Sequence, residues 1–265
     1  MARLRILSAT LLIVWLILPL IPLAIWSFAR GWRYPDLLPK EWSLQPWAYA
    51  LSDQSGVISS LALTTGIALS VTAICVVIGV PAGRALGQYQ FRGKALVELV
   101  ILAPIIVPGI AVALGVQTVF IGLGLNNTVI GVVLVHLIPT LPYMVLVMSS
   151  VFAAYDPQAE DQARSLGASP FQVFHHVTLP TVLPGIIVGA MFTFLVSWGQ
   201  YILTLTIGGG RVQTLPLLMF QFATSGRNDL TGAIAMIYMM PGVLILIVTA
   251  RHLTGRSAAL TGIAR

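Results

Sequence analysis

Charge is what this sequence has least of. Only 8% of its 265 residues are Asp, Glu, Lys or Arg, against about 25% in a soluble globular domain. With 57% of residues hydrophobic, that shortage excludes a water-soluble enzyme or binding module. Cysteine occurs once, as Cys75; no intrachain disulfide can form, and its place in an apolar run makes it a packing residue. Absent too is any Gly-x-x-x-x-Gly-Lys-Ser/Thr phosphate loop, so the chain is not its own nucleotide-driven motor. No basic patch is interleaved with aromatic residues, and the net charge of +6 therefore does not signal nucleic acid.

What is present in quantity is long apolar sequence. A run of about 18 residues or more with few charges is long enough to cross the hydrocarbon as a helix. Six can be marked: Leu7 to Phe28, Ile58 to Val80, Ala95 to Phe120, Val129 to Phe152, Leu183 to Leu205 and Gly232 to Ala250. The expectation is one all-α integral membrane domain over residues 1–265, with six transmembrane helices. The first run follows Arg3 and Arg5, as a cleavable signal would, but it exceeds the 7–15-residue core of such signals and reads as a retained anchor.

Lys and Arg are enriched in the cytoplasmic connections of membrane proteins. Placing the N-terminus inside puts Arg3, Arg5, Arg84, Arg92, Lys94, Arg164, Arg251, Arg256 and Arg265 on that side. Arg30, Arg33, Lys40, Arg211 and Arg227 fall outside, and the segment GLGLNNT (residues 122–128) carries no charge. Nine against five orients both termini to the cytoplasm, together with the stretch YDPQAEDQARSLGASPFQVFHHVTLP (residues 155–180).

That stretch is unusual for an oily chain, with three acids, an arginine, two histidines and three prolines. Asp156 and Pro157 form a helix start, since Asp accepts from free backbone N–H groups and proline suits the first turn. Gly167 is the residue type favoured where a helix ends in a left-handed turn. Ser169 and Pro170 repeat the start signal, so the spacing predicts helix, glycine turn, helix. On the first helix Ala159, Ala163 and Leu166 share a face, and Glu160 pairs with Arg164 at i,i+4. On the second, Phe171, Phe174 and Thr178 line up. The first helix lacks a Lys/Arg-rich side to attract lipid headgroups, which favours a protein partner over the bilayer surface.

These residues resemble the cytoplasmic EAA loop of type I permease subunits in binding-protein-dependent ABC importers. That pattern runs Glu-Ala-Ala, three residues, Gly, nine residues, Ile, one residue, Leu-Pro. Here Asp161, Gln162, Ala163, Gly167, Val177, Leu179 and Pro180 stand at that spacing, with Asp for Glu, Gln for the first Ala and Val for Ile. The resemblance covers roughly residues 58–252 and implies a specific assembly. A second homologous permease subunit completes the pathway, two ATPase subunits receive the loops, and an extracytoplasmic substrate-binding protein delivers the solute. Asp161, Ala163, Gly167, Phe171, Leu179 and Pro180 would form the ATPase-coupling surface. The chain itself would be non-catalytic and bind no cofactor or metal, ATP and Mg being held by the partner ATPase.

Two rival classes are weaker. An ion-driven secondary transporter marks its path with buried ionisable groups. Glu98 is the one acid inside an apolar run, and Arg92 and Lys94 nearby suggest a salt bridge. His136 reads as a helix-to-helix hydrogen-bonding group. An intramembrane protease would need a nucleophile motif that Gly167-Ala168-Ser169-Pro170 does not complete.

Within the fifth run Ser197, Trp198, Gln200, Tyr201 and Thr204 cluster, and polar groups in hydrocarbon need partners or water; they are candidates for the translocation pathway. Prolines 104, 108, 139, 142 and 241 mark kinks in the third, fourth and sixth runs. The segments Arg92–Lys94 and LGASP are similar to those of polyamine-type permeases, which makes a spermidine- or putrescine-like cation the first substrate expectation. Iron(III), thiamine and phosphonate are alternatives.

Overall fold

The computed structural model describes residues 2–32 and 35–262. Arg33 and Arg265 of the charge count lie outside the described residues. Apart from one pair of two-residue strands, the regular elements described are helical. Four helices are long and apolar enough to cross a membrane, and up to six if each of two bent pairs counts as one span.

The chain divides into two compact units, one formed by residues up to Ala62 together with Thr214 onward, the other by Leu63–Gln213. In the first, α1 (Ala2–Ile17) and α2 (Leu20–Ser27) occupy the first apolar run. They are a bent pair rather than the single span expected, turning by 45° at Pro19, which cannot donate to the preceding turn. After α2 the strands β1 (Ala29–Arg30) and β2 (Glu41–Trp42) pair antiparallel, Ala29 facing Trp42, and α3 (Gln45–Ala50) follows. A short apolar helix, α12 (Leu215–Thr224), precedes α13 (Asn228–Gly262). None of these connecting elements was legible as an apolar run. Helix α13 packs on α2 at Gly232, where a Cβ would come within 2.7 Å of the Leu23 carbonyl oxygen and the Ser27 nitrogen.

The second unit holds the greater part of α4 (Val57–Gln88), then α5 (Lys94–Ile106), α6 (Gly109–Gly122) and α7 (Val129–Ala153). The third apolar run is thus two helices, not one, bent by 105° at Val107–Pro108. The cause is local: the residue before a proline is driven from the helical to the extended region, and Val107 sits at ψ 132°. The core gathers Ile67, Val71, Cys75, Val132, Met144, Met148, Phe152, Val182 and Val212. Cys75 is a buried packing residue, its Sγ 3.4 Å from Thr140 Oγ1.

Helices α4 and α7 approach closely along a stripe of Gly79, Gly83 and Gly87. An added Cβ would lie 2.5 Å from Met144 Cγ at Gly79 and 2.5 Å from the Ser149 carbonyl oxygen at Gly87, and would collide with Met148 at Gly83. Small residues four apart let membrane helices bring their backbones together. Near the start of α5, Glu98 makes no ion pair among the described residues; Lys94 Nζ instead donates to the Tyr89 carbonyl at 3.3 Å. The expected salt bridge does not form.

After α7 come α8 (Gln158–Ser165), α9 (Pro170–Val173), a wider π turn (Phe174–Thr178), α10 (Leu179–Trp198) and α11 (Ile202–Gly208). The second helix of the polar loop is therefore not separate: residues Pro170–Trp198 form one continuous helix. The fifth apolar run ends its helix at Trp198, short of the expected Leu205, and resumes at Ile202 after a break.

Candidate functional site

The polar loop is built from local signals that the structure obeys. Asp156 Oδ1 accepts from the Gln158 N–H at 2.9 Å, an Asx turn that launches α8. Glu160 and Asp161 fall in its first turn and Arg164 in its last, the order the helix dipole favours. The helix ends at Gly167, φ +89°, where the Gly167 N–H donates to the Arg164 carbonyl at 2.9 Å and the Ala168 N–H to that of Ala163 at 3.1 Å. These are the paired bonds of a Schellman termination. A capping box follows: the Ser169 side chain accepts from the Gln172 N–H and the Gln172 side chain from the Ser169 N–H.

Pro180 then withholds a donor, and the turn just before it widens into the π segment. The extra residue changes the register. Phe171 and Phe174 are exposed, but Thr178 turns inward and is 2% exposed, so the three do not share a face as expected.

Thr178 turns inward onto Glu160, which is only 3% exposed. Glu160 Oε1 accepts from Thr178 Oγ1 at 2.7 Å, Tyr155 OH at 3.0 Å and Arg84 Nη2 at 3.0 Å. Its Oε2 accepts from the same Arg84 nitrogen at 2.9 Å and from Arg164 Nη2 at 3.2 Å. Taking a carboxylate out of water costs several kcal/mol, and these donated bonds replace its hydration. Burial alone raises the carboxyl's pKa; the bonds from Thr178, Arg84 and Tyr155, with the charge of Arg84, outweigh it and hold the value below the ordinary range. Arg84 is fixed in turn by Nε donating to Gln88 Oε1 at 3.0 Å and by lying 5.7 Å over the Phe152 ring.

The expected i,i+4 pair of Glu160 with Arg164 is present, but a second arginine partner, Arg84, lies 76 residues away and was not legible by spacing. A lone arginine about one turn beyond the end of an apolar run, four residues after Val80, was the signal for it.

The residues proposed for coupling lie mostly on the opposite side. The Asp161 side chain is 72% exposed and pairs only loosely with Arg164, at 3.4 Å. Ala163 and Leu179 are half-buried, while Gly167, Phe171 and Pro180 are exposed. Leu166 is 89% and Phe171 75% exposed, and the Phe171 ring stacks on His175 with centroids 6.0 Å apart. The loop thus has an inner face bolted to the protein and an outer face with uncovered apolar side chains.

The second candidate cluster is not one surface. Ser197, Trp198 and Thr204 are buried, while Gln200 and Tyr201 are half-buried at the break after α10. His136 on α7 spans that break, with Nδ1 3.0 Å from Ser197 Oγ and Nε2 2.8 Å from Thr204 Oγ1. Thr204 donates to the Gln200 carbonyl at 2.9 Å, so a neutral His136 donates from Nε2 and accepts from Ser197 at Nδ1. The helix-to-helix role expected of His136 is what the structure has. Among the described residues, no three His, Cys, Asp or Glu side chains gather as metal ligands.

A helical chain with a doubly capped polar loop invites comparison with known transport proteins. Residues 79–258, more than half of the chain, match the family described as "Binding-protein-dependent transport system inner membrane component". The chain belongs to this family. It is an ABC importer permease of the inner membrane. The permease is 27% identical over 201 residues to a putrescine transport system permease of Escherichia coli K12, covering 73% of this chain and 71% of that one. It is 26% identical to a trehalose transport system permease of Mycobacterium tuberculosis, covering 92% and 91%. It is 27% identical to a putative 2-aminoethylphosphonate transport system permease of Salmonella paratyphi A, covering 95% and 94%. A bacterial ABC transporter involved in alginate import shares the fold, with a TM-score of 0.71 at 18% identity over 94% of this permease and 96% of that chain.

Proposed function

We propose that the permease spans the membrane six times with both termini in the cytoplasm, and that its loop at residues 155–180 docks on a separate ATPase subunit. A second homologous permease completes the pathway, an extracytoplasmic binding protein supplies the solute, and ATP with Mg is held by the two ATPase subunits. The observation that carries this reading is the two-sided loop: rigidly capped and anchored within, it leaves Leu166 and Phe171 uncovered beside Asp161. Asp161, Ala163, Gly167, Phe171, Leu179 and Pro180 form the docking surface. Reversing the charge at Asp161 tests it, because Asp161→Lys leaves the bonds of Glu160 to Arg84, Tyr155 and Thr178 in place. Expected is a permease at normal level in the membrane that no longer retains its ATPase or transports; normal retention and transport would refute the docking surface.

For the solute we propose a polyamine-like cation, on the strength of the putrescine relative. The helix break with Gln200 and Tyr201, backed by Ser197, Trp198 and Thr204, is the proposed lining. No Asp or Glu occurs between Asp161 and Asp229, so this lining supplies no counter-charge and selection falls mainly to the binding protein. The trehalose and 2-aminoethylphosphonate relatives favour a different small solute as the second reading. Calorimetric titration of the cognate binding protein with putrescine, spermidine, trehalose and 2-aminoethylphosphonate decides between them.

A further inference from the structure

The Glu160 network ties together parts of the chain that the sequence keeps far apart. Its donors come from α4 (Arg84), from the segment between α7 and α8 (Tyr155), from α8 itself (Arg164) and from the π turn that leads into α10 (Thr178). Three of these four lie outside the short helix that carries Glu160. A helix of eight residues is too short to hold its own shape in water, so α8 has a fixed position only through such attachments. The carboxylate is the one acceptor on which all four donors converge.

We infer that Glu160 is a positioning residue for coupling, a clamp that makes the loop move as one body with α4 and α10. This rests on the coupling reading above and deepens it: the outer face receives the ATPase, and Glu160 passes its displacement to the membrane helices. Without the clamp, motion of the ATPase would bend the loop about Gly167 and the segment before α8 instead of shifting the helices. Docking and transmission are then separable properties, carried by neighbouring residues of which one is buried and the other exposed.

The test uses the full importer reconstituted in lipid vesicles with its ATPase, second permease and binding protein. Glu160→Gln keeps the shape and removes the charge. It should leave the ATPase bound to the permease, lower transport at least about tenfold, and lower stimulation of ATP hydrolysis by loaded binding protein to a similar degree, since bonds to a charged acceptor are the strong ones. A spin label at Ser165→Cys should become mobile. Thr178→Val and Tyr155→Phe each delete one donor and should give smaller losses in the same readouts. Arg84→Lys, which keeps a cation for Glu160, should recover most of the coupling lost in Arg84→Ala. Gln158→Ala, on the exposed edge, is the parental control.

If Glu160→Gln fails to reach the membrane, the Thr178→Val and Tyr155→Phe pair decides. Parental coupling with an immobile label in both would overturn the clamp. So would a Glu160→Gln importer that couples normally. If Asp161→Lys also transports normally, the coupling reading itself falls; if Asp161→Lys is defective and Glu160→Gln is not, only the clamp does.

Discussion

Gly167→Val isolates the backbone geometry of the loop. At φ +89° an L-residue is in the left-handed region, which costs about 1–2 kcal/mol and more for a β-branched side chain. A Cβ at Gly167 meets nothing within 4 Å, so within the permease the penalty is strain and not collision. The loop can escape the strain only by giving up the two terminating bonds at 2.9 and 3.1 Å, each contributing roughly 0.5–1.5 kcal/mol. Either way the native turn is depopulated by about 5- to 30-fold, while the buried core elsewhere is unaffected. Membrane level should stay near normal, and stimulation of ATP hydrolysis by loaded binding protein in vesicles should collapse. A substitution series separates strain from contact with the ATPase. Asn tolerates the left-handed region, so strain ranks Gly167→Asn near parental, Gly167→Ala intermediate and Gly167→Val worst. Gly167→Asn as damaging as Gly167→Val would refute the strain argument, and parental transport by Gly167→Val with its ATPase retained would refute the role of the turn.

Three further outcomes are expected. Gly83→Leu inserts a side chain where even a Cβ collides with Met148; overpacking of about 1–3 kcal/mol should lower the thermal midpoint of the detergent-solubilised permease, whereas Gly66→Ala, with open space at its Cβ, should leave it unchanged. Because the pKa of Glu160 is lowered on folding, its contribution is complete above the ordinary carboxylate value of about 4.3 and is lost only as pH falls through the lower folded value. The Ser165→Cys spin label should thus stay immobile through the neutral range and loosen only in strong acid; loosening near pH 6 would contradict the assignment of Glu160 as a stabilised carboxylate. Reporter fusions at Gln88 and after Arg265 should report cytoplasm and one at Asn126 the opposite side, and the reverse pattern would put the loop out of reach of an ATPase.

The apolar runs and the loop caps were legible because both are local: hydropathy needs only a window, and Asp156, Gly167 and Ser169 announce turns within a few residues of themselves. The third run shows the limit. Pro108 was visible as a kink, but its effect on Val107 is a 105° turn, and whether a proline bends or breaks a helix depends on whether neighbours hold the two halves in line. The stripe Gly79, Gly83 and Gly87 was in plain view at a spacing of four, yet only the facing Met144, Met148 and Ser149 reveal it as a contact. Among the pathway candidates, composition grouped Ser197 and Thr204 with Gln200 and Tyr201. What divides them is His136, 61 and 68 residues away, which draws the hydroxyls inward and leaves the amide and phenol at the break.

Glu160 and Asp161 sharpen the same point. The spacing of the EAA pattern assigns the acid to Asp161, and nothing in composition distinguishes it from its neighbour. Successive residues on a helix point about 100° apart, however, so one of two adjacent acids can be buried while the other stays exposed, although Arg164 reaches both. Arg84 and Thr178 fix which of them faces in, and the other is left to the outside by geometry alone. A buried carboxylate is constrained in length, charge and direction by every donor around it, while an exposed one needs only its sign. Shortening is therefore expected to be tolerated at the outer position, where this chain carries Asp at the place of Glu in the pattern it resembles. At the inner position Glu160→Asp withdraws the carboxylate by one methylene from donors at 2.7–3.2 Å, and it should loosen the loop although the charge is kept.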